Sequence, residues 1–244
     1  MSKIMRIAMI VPSGGPEADY YGFEEAADGA VKFYFTISRV GGESGHDHDP
    51  EALRQTARID WLLDAAVRLK PFRLDSVQWA CTSGSFINGR KFAEQQAAAI
   101  TKAVGVPATS TSLAFAAACK YMGLKRVGVL ATYPEVVARH FVAFLGEFGI
   151  ETADLRWLDA PSGWDAAKFD EKMIMTSAAR LVSPNIEAIL VPDTALPSLH
   201  FLERMEASLG LPVLTANAVT IWDAQQVAGW VSPVKGYGRL LAAC

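Results

Sequence analysis

Two short stretches of this chain hold the residue types that do chemistry. Cys81-Thr82-Ser83-Gly84-Ser85 follows the apolar run "SVQWA", and Asp193-Thr194 follows "AILVP". A loop made only to turn the chain would draw on Gly, Pro, Asn or Asp for their backbone angles. The first stretch instead sets a thiol beside hydroxyls and the amides of a helix start, a setting that favours a thiolate. The plainer alternative for Cys81 is a small core hydrophobe, since free cysteine is among the most buried residue types. Asp193 sits at the mouth of a buried strand, where low dielectric would raise its pKa and let it hold a proton at neutral pH. Its plainer alternative is a helix cap for the segment that follows. Thr82, Ser83, Thr194 and Ser13 offer hydroxyls and amides for an oxyanion. Tyr133, in "ATYPE", puts a phenol at a strand end just before a helix opened by Pro134.

The elements that must position these groups alternate between strand and helix. "RIAMIVP", "SVQWAC", "RVGVLAT", "EAILVPD" and "LPVLTAN" read as strands. Helical stretches run from about Pro50 to Leu69, after Asn88, from Pro134, after Pro197 and through "AVTIWDAQQVAG". Such alternation predicts an α/β fold of parallel strands joined by crossover helices, with the strands apolar on both faces. The pattern is also written twice. Met5 in "MRIAMIVPSG" aligns with Lys125 in "KRVGVLATYP", Cys81 with Asp193, and Pro107 with Pro212. Two similar Rossmann-like lobes about a pseudo-twofold axis are expected, comprising residues 1–115 with 219–244, and residues 116–218. Ligands in open α/β sheets bind beyond the carboxyl ends of the strands. The active site is therefore expected in the cleft between the lobes, with Cys81 and Asp193 facing each other.

With those stations in place, the sequence resembles the aspartate/glutamate racemase superfamily, and within it the maleate isomerase and arylmalonate decarboxylase branch. The resemblance spans nearly the whole chain. "MIVPSG", "ACTSGS", "GVLATYPEVV", "LPVLTANAVTIWDA" and "GYGRLL" carry it. It implies two lobes, no cofactor and no metal, and a small carboxylate substrate bound in part by Tyr133. Two cysteines usually flank the substrate in that family, and the decarboxylases keep only the second. This chain keeps the first as Cys81 and has Asp193 in place of the second. It also has Gly14-Gly15 where the isomerases tend to carry an Asn. The expected activity is a cofactor-independent isomerisation of a small (di)carboxylate, with Cys81 as nucleophile or acid/base. Decarboxylation of a malonate, or a racemase-like proton transfer, is the alternative. A catalytically silent small-molecule binder is the alternative of another class.

Other candidates are weaker. His46, Asp47, His48 and Asp49 alternate in "GGESGHDHDP", but a Gly-rich polar loop of this kind reads as solvated rather than metal-binding. Cys119 lies among apolar neighbours and reads as core, and Cys244 is the last residue, expected to be frayed. Lys235 and Arg239 could help hold an anion, or could belong to a surface tail docked by Leu240 and Leu241. Trp157, Trp164, Trp222 and Trp230 read as core or interface.

Composition narrows the classes further. Of 244 residues, 51% are apolar and 20% charged, which supports a filled core. A formal net charge of −3 gives no electrostatic reason to expect nucleic acid. No apolar run is long enough to cross a bilayer, and "MSKIMRIAMIVP" reads as a first strand rather than a signal peptide. Three cysteines make no disulfide framework, so a cytoplasmic location is expected. A homo-oligomer is compatible with all of this.

Overall fold

The computed structural model describes residues 4–15, 17–230 and 232–243; Cys244 lies outside them. Among the described residues eight strands form two parallel four-stranded sheets. Strands β1 (Met5–Val11), β2 (Val31–Ile37), β3 (Ser76–Trp79) and β4 (Ala108–Ser110) make the first, in the order β2-β1-β3-β4. Strands β5 (Arg126–Ala131), β6 (Glu151–Trp157), β7 (Ala188–Val191) and β8 (Val213–Thr215) make the second, in the order β6-β5-β7-β8. Both sheets thus share one strand order. The aligned stations fall on equivalent strands: β1 on β5, β3 on β7 and β4 on β8.

Central strands β3 and β7 are buried along their whole length, β7 as an apolar run and β3 with Ser76 and Gln78 buried beside Val77 and Trp79. The edge strands β2 and β6 are additions to the sequence reading. β2 alternates between buried and open positions, while β6 has exposed ends and half-buried residues between them. Neither makes the unbroken apolar run that marks a doubly covered strand.

The single helix expected from Pro50 to Leu69 is two helices, Pro50–Thr56 and Ile59–Val67. Between them the Ala57 carbonyl accepts the Gln96 side-chain N–H at 2.7 Å, so that carbonyl is satisfied by a side chain instead of a continuing helix. The expected lobe boundaries fall inside the helices Thr111–Tyr121 and Ala216–Val227. These two helices pack on each other, and Thr111 and Thr220 meet hydroxyl to hydroxyl at 2.8 Å.

One hydrophobic cluster runs through both halves of the chain and includes Cys119, Leu240, Leu241 and Trp222. Trp230 is half-buried against it. Trp157 and Trp164 depart from the core expectation: they are 40% and 62% exposed, the first on edge strand β6, the second on a one-turn surface helix. Among the described residues no helix is long and apolar enough to cross a membrane.

Candidate active site

Strand β3 ends at Trp79, and the chain passes through Ala80 and turns at Cys81 into the short helix Thr82–Phe86. Cys81 is the N-cap of that helix, and its Sγ accepts the Gly84 N–H at 3.4 Å. Glycine at position 84 keeps the turn uncrowded: a Cβ there would sit 3.1 Å from the thiol and 3.0 Å from the Trp79 ring. The Ser83 hydroxyl stands 3.9 Å from the sulfur. Ser85 braces the turn from behind. Its hydroxyl reaches the Cys81 carbonyl at 2.7 Å and accepts the Ser112 N–H at 3.2 Å.

The sequence expectation of a ready thiolate is reversed here. Burial pushes the Cys81 thiol up to about 12; the Gly84 N–H and the Ser83 hydroxyl oppose the rise, and Asp193 and Asp47 add to it. One helix amide does bond the sulfur, but losing water costs the anion more.

Asp193 leaves β7 at the equivalent place. Its Oδ2 accepts the Thr132 hydroxyl at 2.5 Å, and its Oδ1 accepts the Ala195 N–H at 2.9 Å. That second bond is a local Asx turn rather than a helix cap. The next helix, Leu199–Leu209, is capped from elsewhere: Asp19 accepts the N–H groups of Ser198 at 2.8 Å and Leu199 at 3.2 Å. Asp19 also accepts from Asn217 Nδ2 at 2.8 Å, and Asn217 in turn reaches the Thr194 carbonyl at 3.3 Å. Residues from both ends of the chain thereby hold the loop that carries Asp193. The backbone of Asp193 has φ 156°, a region that L residues rarely adopt and that occurs preferentially at functional sites. Burial pushes its carboxyl above the usual range, with His48, Thr132 and Ala195 acting the other way.

Cys81 and Asp193 line one cavity of about 50 Å³, together with Ser13, Ser83 and Thr194. Tyr133 and Thr82 are not on its wall. Both are buried behind it, and neither side-chain oxygen has a hydrogen-bond partner. The Thr82 and Ser83 hydroxyls lie near the phenol without meeting it in bonding geometry. Burial, then Asp193 and Cys81, push Tyr133 well above its ordinary 10.0. Lys235 and Arg239 are exposed and off the wall.

The residue that sequence reasoning missed is His48. The Gly-rich loop is not solvated throughout: His46 and Asp49 are exposed, but His48 is only 4% exposed and lines the cavity beside Asp47. Three bonds fasten this stretch to the loop after β6. The His48 N–H donates to the Pro161 carbonyl at 3.1 Å, its Nδ1 meets the Ala160 carbonyl at 2.9 Å, and Asp47 accepts the Gly163 N–H at 3.1 Å. Partners more than a hundred residues away leave no local signal.

The sequence profile of the arylmalonate decarboxylase family matches residues 51–241. The chain belongs to the arylmalonate decarboxylase family. This is the branch that the motifs around Cys81 and near the C-terminus pointed to. The arylmalonate decarboxylase of Bordetella bronchiseptica is 29% identical over 187 residues, 75% of this chain and 78% of the relative. The maleate isomerase of Geobacillus stearothermophilus is 24% identical over 255 residues, 99% of each chain. In three dimensions the chain is similar to a Nocardia farcinica maleate cis-trans isomerase variant carrying a covalently bound succinylcysteine intermediate. That likeness has a TM-score of 0.87 at 22% identity and covers 99% of both chains. It establishes the two-sheet fold for a member of this family.

Proposed function

We propose that this protein is a cofactor-independent isomerase of a small unsaturated dicarboxylate, with Cys81 as nucleophile and Asp193 as proton carrier. One observation carries the reading: a thiol from one sheet and a carboxyl from the equivalent strand end of the other line a single small cavity. The succinylcysteine of the structural relative is the adduct expected when a thiol adds to maleate. In this chain the thiol proton passes to Asp193 and sulfur bonds to one alkene carbon. The π pair moves into the adjoining carboxylate as an enediolate, and Asp193 returns a proton to the second carbon. Sulfur and one hydrogen have then added across the double bond. Rotation about the resulting single bond and reversal of the same steps release the trans isomer and restore both groups. From the wall Ser83, Thr194 and Ser13 supply neutral donors to the substrate carboxylates and to the enediolate, and Tyr133 and Thr82 behind it join them when the wall shifts around a bound ligand. Tyr133 and Thr82, which have no internal partners, are the donors with most to gain from a ligand.

Malonate decarboxylation is the second reading, favoured by the family profile and the Bordetella relative.

The test is proton NMR of the protein with maleate and, separately, with phenylmalonate. Fumarate formation that disappears in Cys81→Ala supports the isomerase. Carbon dioxide release from phenylmalonate supports the second reading. Tight binding of both without turnover would make the protein a binder. The site is expected to work in the cytoplasm.

A further inference from the structure

We propose that His48 and Asp193 share one proton and act as a unit, a carboxylate–imidazole pair at the strand end where the family resemblance implies a second thiol. The inference rests on the isomerase reading for the purpose of that proton, but its geometry stands by itself.

The imidazole is fixed at both ends. Nδ1 lies 2.9 Å from the Ala160 carbonyl, which can only accept, so Nδ1 carries a hydrogen. The ring packs edge-on against Tyr133, with centroids 4.8 Å apart and planes at 78°. Nε2 is thereby left 3.9 Å from Asp193 Oδ2, the oxygen that Thr132 also serves. That separation is an ion-pair distance, and catalytic contacts of this kind often tighten only when a substrate is bound. Both side chains are 5% exposed.

With Nδ1 protonated, a neutral Nε2 presents a lone pair to a carboxylate oxygen. Two acceptors facing each other away from water are unfavourable, and one proton between them removes the conflict. Placed on either atom, that proton leaves the pair with zero net charge. The surroundings call for it. Asp47 flanks His48 on the cavity wall, Asp165 lies farther along the docked loop and acts on His48 electrostatically, and Tyr133 and Cys81 complete the ionisable groups nearby. Among the described residues no Lys or Arg lines the cavity.

Two consequences follow for an anionic substrate. An ionised, unpaired Asp193 would repel it, whereas a neutral pair does not. The pair is also a refillable acid: it gives its proton to the substrate carbon as the thiol's proton replaces it, and it takes the carbon's proton back when the C–S bond breaks. His48 in this account is a positioning residue that keeps Asp193 loaded with a proton.

The experiment uses long-range ¹⁵N–¹H correlation of the imidazoles in the full chain, wild type and Asp193→Asn, with His48→Gln to assign the signal. The chain has four histidines, so the assignment is tractable. A supporting result is a His48 ring protonated on Nδ1 whose titration midpoint moves by at least one pH unit in Asp193→Asn. A His48 ring that titrates alike in both proteins, or that is protonated on Nε2 alone throughout the neutral range, overturns the proposal. These readings need no turnover, so they stand even if maleate is not the substrate. Where maleate is isomerised, His48→Gln and Asp193→Asn should each lower kcat on the order of 10²-fold or more, and the double variant should fall no further than the worse single. Multiplying losses would overturn the unit.

Discussion

Alkylation of Cys81 tests which of two opposing effects governs the thiol. Its ordinary pKa of 9.0 is raised to about 12, with burial the first cause. At pH 7 that leaves roughly a thousandth of the thiolate found in an exposed cysteine. Each thiolate is intrinsically more nucleophilic, since reactivity rises with basicity by a Brønsted coefficient of about 0.4–0.5. The two effects together predict labelling by iodoacetamide roughly 30- to 60-fold slower than a small free thiol, before any steric hindrance is added. The perturbation is Ser83→Ala, which removes a hydroxyl that holds the thiol pKa down, so labelling should slow further. Mass spectrometry of the peptide containing Cys81 reads the rate across pH 7 to 10, with the Cys119 peptide as a buried internal control. Labelling of the ligand-free wild type at or above the free-thiol rate at pH 7 would refute the reasoning. It would mean that the amides at the helix start outweigh burial after all.

Tyr133→Phe should weaken binding of a carboxylate ligand by roughly 1.5–3 kcal/mol, read by titration calorimetry. It should not lower the melting temperature, because the lost hydroxyl has no partner in the empty protein. Asp19→Ala removes the acceptor for two helix N–H groups and the Asn217 amide, and should destabilise the fold by roughly 1–3 kcal/mol in urea titration. Alkaline stability should also fall. Cys81 and Cys119 are both raised from 9.0 to about 12, so their contribution is complete below pH 9 and is lost as pH rises toward 12. In that window the folded state binds more protons than the unfolded state, which makes the slope of stability against pH negative. Melting temperatures at pH 8 and pH 10.5 measure it, and Cys119→Ala should flatten the drop.

The sequence by itself determined the parts that local pattern can encode. Largely apolar runs marked β1, β5 and β7, as strands covered on both faces require, while β3 also buries Ser76, whose hydroxyl is satisfied by the Ala224 carbonyl, and Gln78. The doubled order of stations placed Cys81 and Asp193 at equivalent strand ends, and both sheets have the order that this repeat requires. What tertiary structure alone decided concerns partners distant in the chain. Edge strand β6 pairs only along one side, and its exposed and half-buried positions in "ETADLRW" read as ordinary polar sequence, whereas β2, "VKFYFTI", carried a legible strand pattern. Tyr133 and Thr82 were placed in the site by strand-end position, yet packing sets them behind the cavity wall. The Cys81 thiol was judged from the amides next to it in the chain, whereas the desolvation that dominates it comes from walls built by both sheets. His48 shows the limit most clearly. Its neighbours in sequence are glycines and acids typical of a solvated loop, and only the carbonyls of Ala160 and Pro161 bring it under cover beside Asp193. Burial is a property of what packs on a residue, and for His48 that surface is more than a hundred residues away.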